Sequence, residues 1–515
     1  MVKIGKILNA VYDTKVGWRP ASGSIKPVHI ANGLFREMLN GQYYLVSELL
    51  AFVIPYHSKH GDLDPKRTYD YLVNTLHDPR YDAFRDPRYK ERFERLREFT
   101  RGLVAADKAV FPQEKITSFT LTTQNMVSID SSDREVGRFM AYILRGKEGN
   151  GKLAAFVTDL LREEPSDPIS YLVSPLLNID PKFISTKSKR CSPFDNEQLE
   201  VFFSKIEAAA NRLQIHEEQQ GNRLGTLQRV VHFVCISLLA YTQALSKNGE
   251  LTNRNPLLPV MDAPKGSSLA VASEQSLQVF YEGFDAWLAQ ELAHRLLAGA
   301  PLVLEDEESG STINFPLKSR VDVRKFFNEV IATDKGEPPP RDLVVNRMSL
   351  FEQSLNRLTD GRITQLTDGE WALVLADSLV QCYVHEYKSG GPKEFLQSVG
   401  KKAGIIYPNF QGRSKEKRLR PSVPILEVLV RSCCPADVPI PLPEFLSILW
   451  ETFGIVVGGR TGNGENDHEL LVRCGIEVSE NDLEKNTNDF VEQLVQIGLA
   501  RRYPDNISYI GRFYA

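Results

Sequence analysis

Gly146-Lys147-Glu148-Gly149-Asn150-Gly151-Lys152 has the G-x-x-x-x-G-K spacing with which backbone N–H groups and a lysine cradle nucleotide phosphates. That chemistry also needs a Ser or Thr next in line to hold Mg²⁺, and Leu153 stands there instead. It needs an apolar strand ending in Asp as well. The nearest match, Leu373 to Asp377, lies in a helical pattern. With FMAYIL before it and KLAAFVTDLL after it, the run is expected to be a Gly-rich loop between helices.

Asp377 with Glu386 and Lys388 mimics the D…E-x-K pattern of a metal-dependent nuclease. Glu and Lys must then share one face of a strand, where residues two apart align. Thr367 and Glu370 form a T-x-x-E capping box just upstream, so the segment is expected to be helical. On a helix, positions 386 and 388 diverge by about 200°. His57, His60, Asp62 and Asp64 offer four metal-ligand side chains within eight residues, but their spacing fits no metal-binding family, and a solvated loop is expected. Cys433-Cys434 is expected at a helix end with one thiol buried. His232 and Cys235 lie in an all-apolar run and are expected in the core. Neither G-x-S-x-G nor a strand-linked G-x-G-x-x-G occurs. No catalytic residue, metal or cofactor is assigned on these grounds. A nuclease or nucleotide hydrolase whose site assembles from distant residues is the alternative reading.

One stretch has binding rather than catalytic character. Residues 401–420 hold seven Lys and Arg against Glu416, a net charge of +6. Gly412 and Pro421 bracket the densest part, so a loop is expected, with Lys415, Lys417, Arg418 and Arg420 as candidate nucleic-acid contacts. Tyr407 and Phe410 could stack beside it.

The elements that must position these residues are mainly helical. Residues 1–30 are expected to be irregular, followed by a helical pattern from Asn32 to Ile54 interrupted at Gly41. Asp-Pro-Arg-Tyr occurs at 78–81 and 86–89, and each copy can start a helix with Asp as cap and Pro in the first position. The second launches a charged helix with Phe93, Leu96, Phe99 and Leu103 inward. Residues 117–130 are strand candidates. Leu199, Phe202, Phe203, Ile206 and Leu213 make a clean stripe, and 224–245 is apolar almost all round, as in a central buried helix. Ser273 is expected to cap a helix closed by Gly299, and 301–317 to form a hairpin. Gly336-Glu337-Pro338-Pro339-Pro340 is the clearest boundary, with helices beyond it near 342–358 and 368–388.

In the last segment, 424–432 reads as a short buried helix. Pro441 and Pro443 can start a second, with Leu446, Leu449, Trp450 and Phe453 on one face and Gly458-Gly459 ending it. Ser479 should cap a third, with Leu483, Phe490, Leu494 and Ile497 inward. The runs 499–503 and 507–514, separated by Pro504-Asp505-Asn506, read as a hairpin. Three helices followed by a two-stranded wing resemble the winged-helix family. That resemblance implies DNA reading by the third helix, yet residues 422–515 carry seven basic against fourteen acidic residues. The third helix itself holds Glu480, Asp482, Glu484, Asp489 and Glu492. Phosphate contacts dominate DNA affinity, so packing or protein binding is the expected use.

The 515 residues are 42% hydrophobic and 25% charged, with a net charge of −4, so global charge points to neither nucleic acid nor membrane. Six cysteines without CxxC spacing suit free thiols. The N-terminus lacks the apolar run of a signal peptide, and the most apolar run, Val230 to Tyr241, is short of the roughly 20 residues that span a bilayer. A cytoplasmic location is expected.

The fold expected is mainly α, a multi-helical body with a few short strands and a winged-helix-like C-terminal domain. Five units are expected: 1–185 and 186–335 as helical domains, 341–400 as a helical connector, 401–421 as a basic linker and 422–515 as the terminal domain. Asn255-Pro256-Leu257-Leu258, leading through a Pro/Gly loop into Ala272-Ser273, together with the winged end, resembles accessory subunits of bacterial antiphage systems. Those systems are of the methylation-associated or phosphorothioate-dependent kind. The resemblance implies an interaction or scaffold role with other protein subunits as partners, and possible DNA contact.

Overall fold

The computed structural model describes residues 2–21, 25–53, 65–76, 78–105, 121–164, 167–184, 190–300, 319–333, 336–387, 391–408, 417–459, 466–504 and 507–513. The cluster His57, His60, Asp62 and Asp64, the hairpin expected over 301–317, Lys388 and Lys415 lie outside them.

The first part runs β1 (Val2–Lys3), α1 (Ile4–Val11), α2 (Pro27–Met38), β2 (Gln42–Tyr43), α3 (Ser47–Val53), α4 (Tyr69–Thr75), α5 (Lys90–Thr100), α6 (Val136–Arg145), α7 (Lys152–Arg162), α8 (Pro168–Val173) and β3 (Lys182–Phe183). The middle holds α9 (Glu200–Glu218), α10 (Arg223–Leu245), α11 (Ser268–Leu297), α12 (Arg320–Glu329), β4 (Ile331–Ala332), α13 (Arg341–Thr359), α14 (Asp368–Glu386) and α15 (Pro392–Ala403). The last part holds β5 (Ile406–Tyr407), β6 (Arg418–Leu419), α16 (Val423–Cys433), β7 (Ile440–Pro441), α17 (Leu442–Phe453), α18 (Asp467–Arg473), α19 (Glu480–Gln496), β8 (Ala500–Arg502) and β9 (Ser508–Ile510). The fold is mainly α.

The core is organised around α10, which is buried from Thr226 to Leu245 except at Gln228 and packs against α2, α9, α11, α15, α16 and α17. By length and composition it could cross a membrane, but 83% of its most apolar window is buried inside the protein. The 30-residue α11, about 45 Å long at 1.5 Å per residue, lies along α14 and also touches α1 and α19. One continuous apolar core runs from Val2 to Ile510, across the Gly336–Pro340 run. β1 pairs in parallel with β4, tying the first residues to the segment just before that run.

Several local expectations are corrected. The described residues of 1–30 are not irregular throughout, because Ile4, Ile7, Leu8 and Val11 recur at helical spacing and bury as α1. A π-helical turn, Tyr12–Val16, follows, closed by Gly17 at φ 85. No strand forms among residues 121–130. A 3₁₀ turn at Gln124–Met126 replaces it, and α2 supplies the partners a ladder would have given. The Ser128 carbonyl accepts from Asn32 Nδ2 at 2.8 Å and Arg36 Nη1 at 3.2 Å. On α5, Phe99 is exposed and Arg97 is buried instead, donating to the Phe52 carbonyl at 2.8 Å. Both Asp-Pro-Arg-Tyr copies start 3₁₀ turns in which Asp78 and Asp86 accept from the N–H groups of Arg80 and Arg88.

Helix α11 starts at Ser267, six residues before the expected cap. Ser273 serves its interior, with its hydroxyl donating to the Leu258 carbonyl at 2.7 Å and accepting from the Leu419 N–H at 2.9 Å. Helix α17 closes at Gly454 rather than at Gly458-Gly459. Gly454 ends α17 at φ 64, a left-handed conformation that favours glycine, with the Gln243 side chain of α10 packed against it.

Candidate functional site

The terminal module holds one helix and one strand more than expected, α18 between α17 and α19 and β7 beside β9, while the helices expected there start where their local signals place them. Pro424 lies in the first turn of α16, Pro441 precedes α17, and the Ser479 hydroxyl accepts from the Asp482 N–H to start α19. Strands β7, β9 and β8 form one antiparallel sheet with β9 central. Leu483, Phe490 and Leu494 bury as expected.

This module is fused to the body rather than tethered to it. Residues 255–261 run beside it, with the Leu257 N–H donating to the Gly454 carbonyl and the Val456 N–H returning the bond to Leu257, each at 2.9 Å. Arg254 is fully buried. It lies over the Trp450 ring and donates to the Trp450 carbonyl and, at 2.9 Å, to that of Glu451. Burial pushes its guanidinium down to about 9. From α19, Asn486 Nδ2 donates to the Pro259 carbonyl at 2.8 Å and the Val457 carbonyl at 2.7 Å, while Asp482 accepts from Ser268 Oγ at 2.8 Å. One side of α19 is therefore committed to the body. Glu480, Glu484 and Glu492 face outward.

A second joint is ionic. Glu217, at the end of α9, has a fully buried carboxylate that accepts from Arg229 at 2.7 Å through both oxygens, from Thr226 Oγ1 at 2.6 Å and from Arg431 of α16 at 3.0 Å. Glu427 adds a contact to Arg431. Burial alone would push the Glu217 carboxyl up, but the bonds from Arg229, Thr226 and Arg431 hold it below its ordinary range. Sequence reasoning missed this joint, because positions 217, 229 and 431 carry no spacing signal.

The two ends of the basic stretch, 401–408 and 417–420, are built into the fold, and residues 409–416 between them lie outside the described residues. Lys401 and Lys402 end α15, and β5 pairs with β6. Lys417 is buried and donates to the Pro408 carbonyl at 2.7 Å. Arg418 is also buried, donates to the Ala263 carbonyl at 3.2 Å and lies 5.2 Å from the Tyr407 ring centre. Arg420 lies at the same distance from that ring and is exposed. Three of the four candidate residues therefore gather on one hairpin, and among these three Arg420 presents its charge outward. The hairpin β8–β9 carries exposed Arg501 and Arg502, with Arg501 over the Phe513 ring at 4.6 Å.

The catalytic look-alikes resolve into structural parts. Gly146–Gly151 joins two helices, α6 and α7, so the strand that phosphate cradling requires is absent from its entry side. Glu207 lies beside it, and Glu197 and Glu200 line the same small hollow, which opposes an anion. A Cβ on Gly151 would meet the Leu144 carbonyl oxygen at 1.9 Å, which accounts for that glycine without a ligand. Asp377 and Glu386 stand on α14, started by the expected Thr367–Glu370 box, and each is taken by an arginine. Arg357 pairs with Asp377, and Arg347 grips Glu386 at 2.7 and 2.8 Å. Cys433 and Cys434 are both buried, where one was expected; burial pushes the Cys433 thiol up to about 12. His232 and Cys235 sit in the core, and burial takes His232 down to about 4 and Cys235 up to about 12. Among the described residues, no three His, Cys, Asp or Glu side chains group as metal ligands do.

No family model matches the chain, and no curated protein matches its sequence.

Proposed function

We propose that this chain is a non-catalytic interaction subunit that holds other proteins within a multi-protein assembly of the bacterial antiphage-defence kind. The observation that carries the reading is the joining of a winged-helix-like module to a helical body through Arg254, Asn486 and Glu217. A module fixed in this way presents a rigid composite surface. Its last helix, α19, offers acidic groups outward, which favours protein over DNA at that face. Nucleic acid, where it is contacted, is met at Arg420 and Tyr407, with Lys415 beside them in sequence.

The test is co-expression with the products of adjacent genes, followed by purification of the complex. A stable stoichiometric complex and no ATP or DNA turnover by the isolated chain are expected. A chain that purifies alone and turns over either substrate overturns the reading. For the nucleic-acid contact, Lys415→Ala with Arg420→Ala should weaken DNA binding and flatten its salt dependence by about one unit of slope per lost phosphate contact.

A further inference from the structure

Asp78-Pro79-Arg80-Tyr81 and Asp86-Pro87-Arg88-Tyr89 share one sequence and fold alike, yet only the first is used within the chain. Asp78 and Asp86 cap their turns at φ −78 and −77, and each accepts from the backbone N–H of the arginine two residues on. Each carboxylate also accepts from that arginine's Nε and Nη2, at 2.8 and 2.9 Å in the first copy and at 3.1 and 2.6 Å in the second. Two of the three guanidinium nitrogens are thereby held in a fixed fork, and Nη1 is left to reach something else.

The first copy shows what Nη1 can take. It donates to the Tyr171 carbonyl at 3.2 Å and to Ser174 Oγ at 3.1 Å, where α8 ends, and the guanidinium lies 5.1 Å from the Tyr171 ring centre. That carbonyl needs a donor from outside its helix. Its partner in an α-helix would be the N–H of residue 175, and Pro175 has none. A helix C-terminus is also negatively polarised, which favours a cation there. Tyr81 packs in behind the arginine, 5% exposed, with its hydroxyl 3.5 Å from the Leu172 carbonyl.

In the second copy the same fork is built and left idle. The Arg88 side chain is 83% exposed, and its Nε and Nη2 are bonded to Asp86 while Nη1 has no bond among the described residues. Tyr89 is half-buried, with the Arg92 guanidinium 5.1 Å from its ring centre. An arginine held in place beforehand loses little freedom when it binds, and Arg and Tyr are the residues on which protein interfaces most depend.

We propose that the second copy docks the C-terminal end of a helix in a partner protein, one that closes as α8 does, with an aromatic residue, a Ser or Thr three positions on and a proline after it. This surface draws on neither the terminal module nor the basic hairpin, and it stands apart from the reading of both.

The probe is a stapled helical peptide, labelled with fluorescein at its N-terminus and closing on Ser-Tyr-Leu-Val-Ser-Pro-Leu, the sequence of residues 170–176. Fluorescence anisotropy with the full chain should show saturable binding, and a peptide with Ala at both the Tyr and the second Ser should not bind. Arg88→Ala should weaken binding about tenfold, the worth of one charge-assisted hydrogen bond. Arg88→Lys should do the same, because an ammonium cannot be gripped by Asp86 and reach outward in the same fork. Arg80→Ala should leave the peptide's affinity unchanged and lower the unfolding midpoint instead, since α8 loses its own contact. Arg88 is exposed, so an unchanged unfolding curve is expected for its variants. No binding of the peptide, equal binding of its Ala form, an affinity indifferent to Arg88→Ala, or one that falls only with Arg80→Ala overturns the proposal.

Discussion

Glu217 and Asp285 stand on two long core helices, α9 and α11, and burial pushes both carboxyls toward protonation. At Glu217 that push is overruled by two guanidinium groups and a hydroxyl. At Asp285, Lys393 is the one group pulling the other way, while Asp377 and Glu282 add to burial, and the carboxyl is pushed up to about 7. Lys393 is also spent elsewhere, donating to Gln278 at 3.1 Å and lying over the Tyr281 ring. The contrast separates two kinds of joint. The α9–α10–α16 node is closed by matched charge and fastens the terminal module. The α11 site leaves a carboxyl under-compensated beside the α14 and α15 contacts.

The largest effect should come from breaking the matched node. Glu217→Ala leaves Arg229 and Arg431 buried without their main partner, which typically costs about 3–5 kcal/mol. Urea unfolding should show that loss. A change below about 1 kcal/mol would mean that the node does not fasten the module. Replacing Glu217, Arg229 and Arg431 together by Met or Leu should recover most of the loss, since a buried triad is often matched by apolar packing of similar volume.

Acid gives a gentler probe of the same node. The folded-state pKa of Glu217 is depressed, so its contribution is complete above the unfolded value of about 4.3 and is lost as pH falls through the folded value. The gap between the wild-type protein and Glu217→Ala should therefore shrink below about pH 4 in thermal unfolding. A gap constant from pH 7 to 3 would place the stabilisation outside the ionised pair.

The same contrast explains what could be read from the residues alone. Ser479, Thr367 with Glu370, and the prolines near the starts of α16 and α17 act through their own neighbours, so α14, α16, α17 and α19 are legible within a few residues, whereas the short α18 was not expected. Where a residue's partner lies far along the chain, local pattern misleads. Ser273 looks like a cap until its bonds to Leu258 and Leu419 are seen, and Arg97 looks solvated until Phe52 takes its charge. The candidate basic site shows both sides. Its grouping on one stretch was legible, but the inward turn of Lys417 and Arg418 depends on Pro408, folded back by the hairpin, and on Ala263. The Glu217 node spans positions 217, 229, 427 and 431; Glu427 and Arg431 are an i,i+4 pair on α16, but their link to Glu217 and Arg229 left no pattern.

The smallest effect, and the one of opposite sign, belongs to Asp285. Its folded-state pKa is raised, so the folded protein holds a proton that the unfolded chain releases above about pH 4. Stability is therefore drained as pH rises from about 4 to 7, and the full penalty stands above that range. Asp285→Asn removes the titration while keeping the shape. It should leave stability nearly unchanged at pH 4 and raise it at pH 8, by about 1–2 kcal/mol once the side chain's partial solvent access is allowed for. Paired thermal melts at the two pH values read the difference directly. A variant that is less stable at pH 8 would mean that the attraction between Asp285 and Lys393 outweighs burial, and the contrast with Glu217 would then be one of degree rather than of sign.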